Sequence, residues 1–199
     1  PRMGVAQVSS GGDVEHKALD SSSSVTTSVN FNGNLIFGHA NGDLTSLEEK
    51  LVNGQGKSVN SILHDGNQLI TIDDKNITQL GTDNQQSLQV SVGNITAISN
   101  GIIVNDSPTI WCGIQDINKG LLKVISLTDG NELASMQAAK ISVITSNTDR
   151  VVIGDEQGEV YVWEQAMLNR RYNSASVDDD DERRQQMRER LNALRKREL

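Results

Sequence analysis

A single cysteine in 199 residues excludes an internal disulfide. Cys112 lies in the apolar run Ile110-Trp111-Cys112, the setting of a buried, inert thiol rather than a nucleophile. Aromatic residues are also scarce: Phe31, Phe37, Trp111, Tyr161, Trp163 and Tyr172 are the whole set. Most fall inside apolar runs, while the polar stretches are Asn, Asp, Gly and Ser, so exposed stacking platforms for bases or sugars are not expected. No apolar run reaches bilayer-crossing length, and Pro1-Arg2-Met3-Gly4 is no signal-peptide core. Positive charge is short too. The chain has 18 basic against 26 acidic side chains, a formal net charge of −8, which argues against broad binding of a phosphate backbone. The sequons at Asn76, Asn94 and Asn105 are no more than a chain this rich in Asn, Ser and Thr supplies by chance. A cytoplasmic protein is the expectation, with the nucleus as alternative. A start on proline rather than methionine suggests a segment of something longer.

What the chain does have is a repeated phrase. Val151-Val152-Ile153-Gly154 leads through a polar turn to Gly158 and then to Val160-Tyr161-Val162-Trp163. Leu35-Ile36-Phe37-Gly38 is followed at the same glycine spacing by Gly42-Asp43-Leu44, and Ile110-Trp111-Cys112-Gly113 repeats the first half. Ile72 holds the corresponding place in a fourth copy. From Gly38 through Ile72 and Gly113 to Gly154 the period is 34, 41 and 41 residues.

Each repeat resolves into about four short strands. The first runs from Val25 through Leu35 and Leu44 to Val52, and the second from Ser58 through Leu69 and Ile77 to Val92. The third runs from Asn94 through Ile102-Ile103-Val104, Ile110 and Leu122 to Met136. The fourth runs from Ile141 to Trp163 and lacks an obvious last strand, while Val5–Val8 and Val14–Leu19 form half a unit at the start. Four-stranded units of this length are the signature of propeller blades, whose two buried faces explain apolar triplets where a half-exposed sheet would alternate strictly. A β-sandwich is the alternative. The expected fold class is therefore all-β, about four blades, with a C-terminal α-helical tail. The division is a half-blade over 1–23, blades over 24–165, an acidic linker over 166–182 and a helix over 183–199.

Gly158-Glu159-Val160-Tyr161-Val162-Trp163-Glu164 resembles the glycine, alternating strand and Trp-Asp ending of WD40 repeats, with Glu164 where Asp is usual. Leu122 to Gly130 is similar to the third strand and turn of the same repeat, with Ile125-Ser126 in place of Trp-Asp. The resemblance covers about residues 5 to 165. Gly38-His39 is a Gly-His pair, but at a strand end where that family does not place it. Propellers of this kind have about six to eight blades, so the resemblance implies an incomplete ring. The half-unit could close it, a partner chain could complete it, or upstream blades are missing; the last two are favoured, because open sheet edges are a liability.

In the tail, Asp178 to Glu182 is an unbroken acidic run, and Arg183 to Leu199 is rich in helix formers. Met187, Leu191 and Leu194 share one helical face, a stripe of about three turns, too short for a stable coiled coil alone and suited to docking on a partner. The arginines from Arg183 to Arg197 carry the alternative, association with RNA.

Catalytic chemistry is not in evidence. His16, His39 and His64 stand far apart without paired cysteines. Gly56-Lys57-Ser58 resembles the end of a phosphate loop, but Leu51 stands where the first glycine belongs. Asp73-Asp74 reads as a solvated turn, and Asp178 to Asp181 has no EF-hand frame. No cofactor or metal is expected. The reading is a non-catalytic interaction scaffold whose partners are other protein subunits, contacted through the turn residues Asp43, Asp74, Asp155 and Glu156 and the tail residues Met187, Leu191 and Leu194.

Overall fold

A computed structural model describes residues 4–104, 106–117, 119–168 and 170. Among these residues, seventeen strands form five antiparallel sheets. The first is the hairpin β1 (Gly4–Val8) and β2 (Val14–Ala18), which pair only with each other. Blade 1 is β3 (Val25–Phe31), β4 (Asn34–His39), β5 (Leu44–Thr45) and β6 (Lys50–Val52). Blade 2 is β7 (Ser61–His64), β8 (Leu69–Ile72), β9 (Asn76–Leu80) and β10 (Gln86–Ser91). Blade 3 is β11 (Asn94–Asn100), β12 (Thr109–Asp116), β13 (Lys119–Ser126) and β14 (Glu132–Ala138). Blade 4 has three strands among the described residues, β15 (Ile141–Ser146), β16 (Arg150–Asp155) and β17 (Val160–Glu164). Residues 165–168 are helical.

Strand order follows sequence order inside every blade, and the first strands β3, β7, β11 and β15 pack side by side in that order. Three apolar cores fill the spaces between consecutive blades. Ile36 and Leu44 meet Ile62, Leu69 and Leu80 between blades 1 and 2. Ile70, Ile72 and Ile77 meet Ile110, Cys112 and Ile125 between blades 2 and 3. Trp111, Leu122 and Val124 meet Ile141, Val151 and Ile153 between blades 3 and 4. The apolar runs of the second strands are accordingly buried from both sides at Ile36-Phe37 and Ile110-Trp111-Cys112, the geometry of stacked blades, while Leu35 at the start of the blade 1 triplet stays exposed.

One local reading changes: Ile102-Ile103-Val104 forms no strand, only an isolated bridge from Val104 to Ser107. Ile102 is buried there and its carbonyl accepts a hydrogen bond from Thr109 Oγ1 at 2.6 Å, so Ile102 and Val104 fill space beside Trp111 without entering a sheet, while Ile103 is exposed. The hairpin β1–β2 does not supply a strand to blade 4.

Candidate functional site: the second-to-third-strand turns

Each blade is antiparallel, so the turn between its second and third strands lies at the end where its first strand begins. Consecutive first strands run side by side, which collects these turns on one rim. Backbone hydrogen bonds tie them to the connectors of that rim. Gly56 N–H donates to Asn41 O, Ile95 N–H to Asp74 O and Glu156 N–H to Lys140 O, at 2.9, 2.9 and 3.0 Å. Gly56-Lys57-Ser58 is thus part of the connector before blade 2, and the Lys57 ammonium lies 3.9 Å from Asp73.

The acidic residues of this rim divide into two kinds. Asp43 is only 4% exposed. Its carboxylate accepts hydrogen bonds from Ser21 Oγ, Asn41 Nδ2 and Gly54 N–H at 2.9, 2.8 and 2.8 Å, and lies 3.2 Å from Lys50 Nζ. Burial alone would raise its pKa; the Gly54 N–H, Asn41, Ser21 and Lys50 outweigh it and hold the group well below the usual carboxylate range. Asp155 is likewise buried, and its Oδ1 accepts the N–H groups of Gln157 and Glu159 at 3.0 and 2.9 Å. Gly158, at φ 83°, closes that turn in a conformation disfavoured for residues with a Cβ. In blade 2 the capping role falls to Asp73, whose Oδ1 accepts the N–H groups of Lys75 and Asn76, both at 2.7 Å. Burial raises that carboxyl too, and the hydrogen bonds from Asn76 and Lys75 with the Lys57 charge bring it below its ordinary value. These three carboxylates shape the turns from inside.

Asp74 and Glu156 are exposed, and Asp74 Oδ1 accepts from Asn60 Nδ2 at 2.6 Å. Between their turns, in blade 3, stands a residue the sequence reading passed over: Ile117, 91% exposed beside exposed Asp116. The available signal was a large apolar side chain alone in a polar turn. Structure therefore brings Asp43, Asp74, Asp155 and Glu156 to one rim, with only Asp74 and Glu156 presented to solvent. Met187, Leu191, Leu194 and the tail arginines lie outside the described residues.

His39 is buried, Nδ1 3.0 Å from Ser23 O and Nε2 2.9 Å from Thr45 Oγ1. A carbonyl cannot donate, so Nδ1 carries the hydrogen; in the neutral ring Nε2 then accepts from the threonine hydroxyl. Among the described residues there is no group of three or more His, Cys, Asp or Glu side chains placed to hold a metal ion. No helix among them is long and apolar enough to cross a membrane.

No family model and no curated protein matches the chain. Solved structures do, a WD40 domain among them. The Swd1 β-propeller domain of Myceliophteria thermophila aligns with a TM-score of 0.61 at 11% identity, over 82% of this chain and 64% of that one. The computationally designed Ika4 protein aligns at 0.57 and 19% identity, over 74% of this chain and 95% of Ika4. BBS1N, solved in complex with ARL6DN, aligns at 0.56 and 13% identity, over 83% and 54%. The chain thus spans less than two thirds of each of these two natural propellers. The blades, their order and these likenesses together make the fold that of a WD40-like β-propeller.

Proposed function

We propose that the protein is a non-catalytic interaction scaffold within a multi-protein assembly, and that the rim carrying Asp74, Ile117 and Glu156 is a contact face. The observation that carries this reading is Ile117, standing 91% exposed between two turns with exposed carboxylates. An isoleucine held out in water gains free energy when a partner covers it, and flanking acids select a partner with basic residues around an apolar patch. Buried Asp43 and Asp155 serve the face by fixing the backbone of its turns. The non-catalytic part rests on the engagement of Asp43, Asp73, Asp155 and His39 in internal hydrogen bonds. A structural neighbour solved in a complex, BBS1N with ARL6DN, supports the same reading. The tail residues Met187, Leu191 and Leu194 provide a second contact, and subunits that dock here supply what the arc of blades lacks.

The test is quantitative affinity capture from extract with the wild-type chain, with Ile117→Asp and Glu156→Lys, and with Met187→Asp/Leu191→Asp. The rim variants should each lose the same proteins while keeping the wild-type unfolding temperature, and the tail variant should lose a partner of its own. An identical set of captured proteins from all the baits would overturn the reading.

A further inference from the structure

Among the described residues, blade 4 stops at a strand whose chemistry is that of a third strand. The fourth strands β10 and β14 turn mostly polar side chains to solvent, among them Gln86, Gln89, Glu132 and Gln137. By contrast, β17 exposes Val160 and Val162, 66% and 53%. Its hydrogen bonding can be read from its ends. Asp155 N–H donates to Glu159 O and Gln165 N–H to Asp149 O, so the odd-numbered residues of β17 bond to β16. The backbone N–H groups of Val160, Val162 and Glu164 and the C=O groups of Val160 and Val162 therefore point away from the sheet, unpaired among the described residues.

Beside this edge lie two hollows that share Trp163 and Leu168. One, of about 360 Å³, runs along β17 from Val160 to Glu164. The other, of about 110 Å³, is apolar and sinks between blades 3 and 4 to Trp111, Leu133 and Met136. Trp111 Nε1 donates to Thr109 Oγ1 at 3.0 Å, whereas Trp163 Nε1 is buried with no hydrogen-bond partner among the described residues, which is costly.

Resting on the scaffold reading, the geometry points to strand addition at β17. The occupant is an extended peptide of a partner protein, apolar at every second position, seating one Leu- or Met-sized side chain against Trp163 and Met136. An open ladder edge gives such a peptide affinity through its backbone, and a pocket beside the edge gives specificity. Exposed Glu159, whose carboxylate accepts from Tyr161 OH, stands at the start of the edge, so the peptide carries a basic residue at that end; Glu164 at the other end is already paired with Arg150 at 3.0 Å.

The probe is the synthetic peptide acetyl-Thr-Leu-Thr-Leu-Thr-Val-Lys-amide, titrated into ¹⁵N-labelled full chain. With two tryptophans in the sequence, the indole signals report directly. The Trp163 indole N–H should move with the Val160, Val162 and Glu164 amides, while Trp111 and Ile117 stay. Val162→Pro removes an outward N–H without touching the bonds to β16, and should weaken binding about tenfold or more. Trp163→Phe keeps a ring and the fold and should weaken it several-fold. Binding that ignores both variants, or shifts confined to the rim, overturns strand addition. So does a peptide-free chain in which Met187 or Leu191 methyls show contacts to Trp163, or a dimer abolished by Val162→Pro, since the occupant is then the chain's own tail or a second copy. Loss of the peptide effect with rim-dependent capture intact rejects this site and leaves the scaffold reading standing.

Discussion

Asp43 shows how one carboxylate can organise a blade. It gathers Ser21, Asn41, Lys50 and the Gly54 amide, joining the chain before blade 1 to the connector after it. Hydrogen bonds to a charged, buried group are the strong ones, so Asp43→Ala should lower stability by about 2 kcal/mol or more, measured by urea unfolding. Because the folded-state pKa is depressed, the contribution is fully present above the ordinary carboxylate range. It is lost as pH falls through the folded value. Asp73 acts in the same direction. Unfolding temperature should therefore fall below about pH 4, and less steeply in Asp43→Ala; parallel curves for the two proteins would contradict this. At Cys112, burial pushes the thiol up to about 12, with the nearby Lys123 charge only partly opposing it. A thiol reagent at pH 8 should leave the native protein unmodified and label it once it is unfolded.

At the scale of the strand, the apolar-triplet-plus-glycine phrase has a cause that the sequence alone did not reveal. A Cβ on Gly113 would lie 2.5 Å from Ile141 Cβ, and one on Gly38 would lie 2.7 Å from Val59 Cγ1. The glycine is where the chain leading into the next blade presses closest. Gly113→Ala should cost about 1–3 kcal/mol through overpacking between blades 3 and 4, whereas Gly11→Ala, in the exposed hairpin turn, should stay close to wild type. Calorimetry on the two variants separates the cases. Most strands were legible because turn residues punctuate them: Val25–Phe31 and Leu69–Ile72 fall where the residues place them. Asp43 and Asp155 were legible as turn acids but not as buried ones. An Asp that caps backbone N–H groups and an Asp that faces water have the same neighbours in sequence, and only the fold of the connector over it decides. Ile117 was overlooked because it interrupts a polar turn without any periodicity around it.

Across the whole molecule, stability is a chain of neighbour contacts. Blade 2 is clasped on both faces by cores, and so is blade 3, while β1–β2 packs on nothing comparable and exposes Val8 and Val14. Hydrogen exchange should follow that order: β8 and β12 slowest, β1 and β2 fastest, since an isolated hairpin is marginal in water. Uniform protection from β1 to β17 would contradict it. The blade count and the three strands that blade 4 has among the described residues could be read from the 34- and 41-residue periods and the strand tally. The rim that gathers one turn from each of the four blades could not, because it is a product of stacking and not of any one repeat.

The claim that this rim meets a protein partner is tested most directly by photo-crosslinking in cells, with benzoylphenylalanine placed at Ile117 and, as control, at Gln89 on the outer edge of blade 2. A discrete protein adduct formed from position 117 and absent from position 89 is the expected result. Equal adducts from both positions, or none from 117, would contradict it.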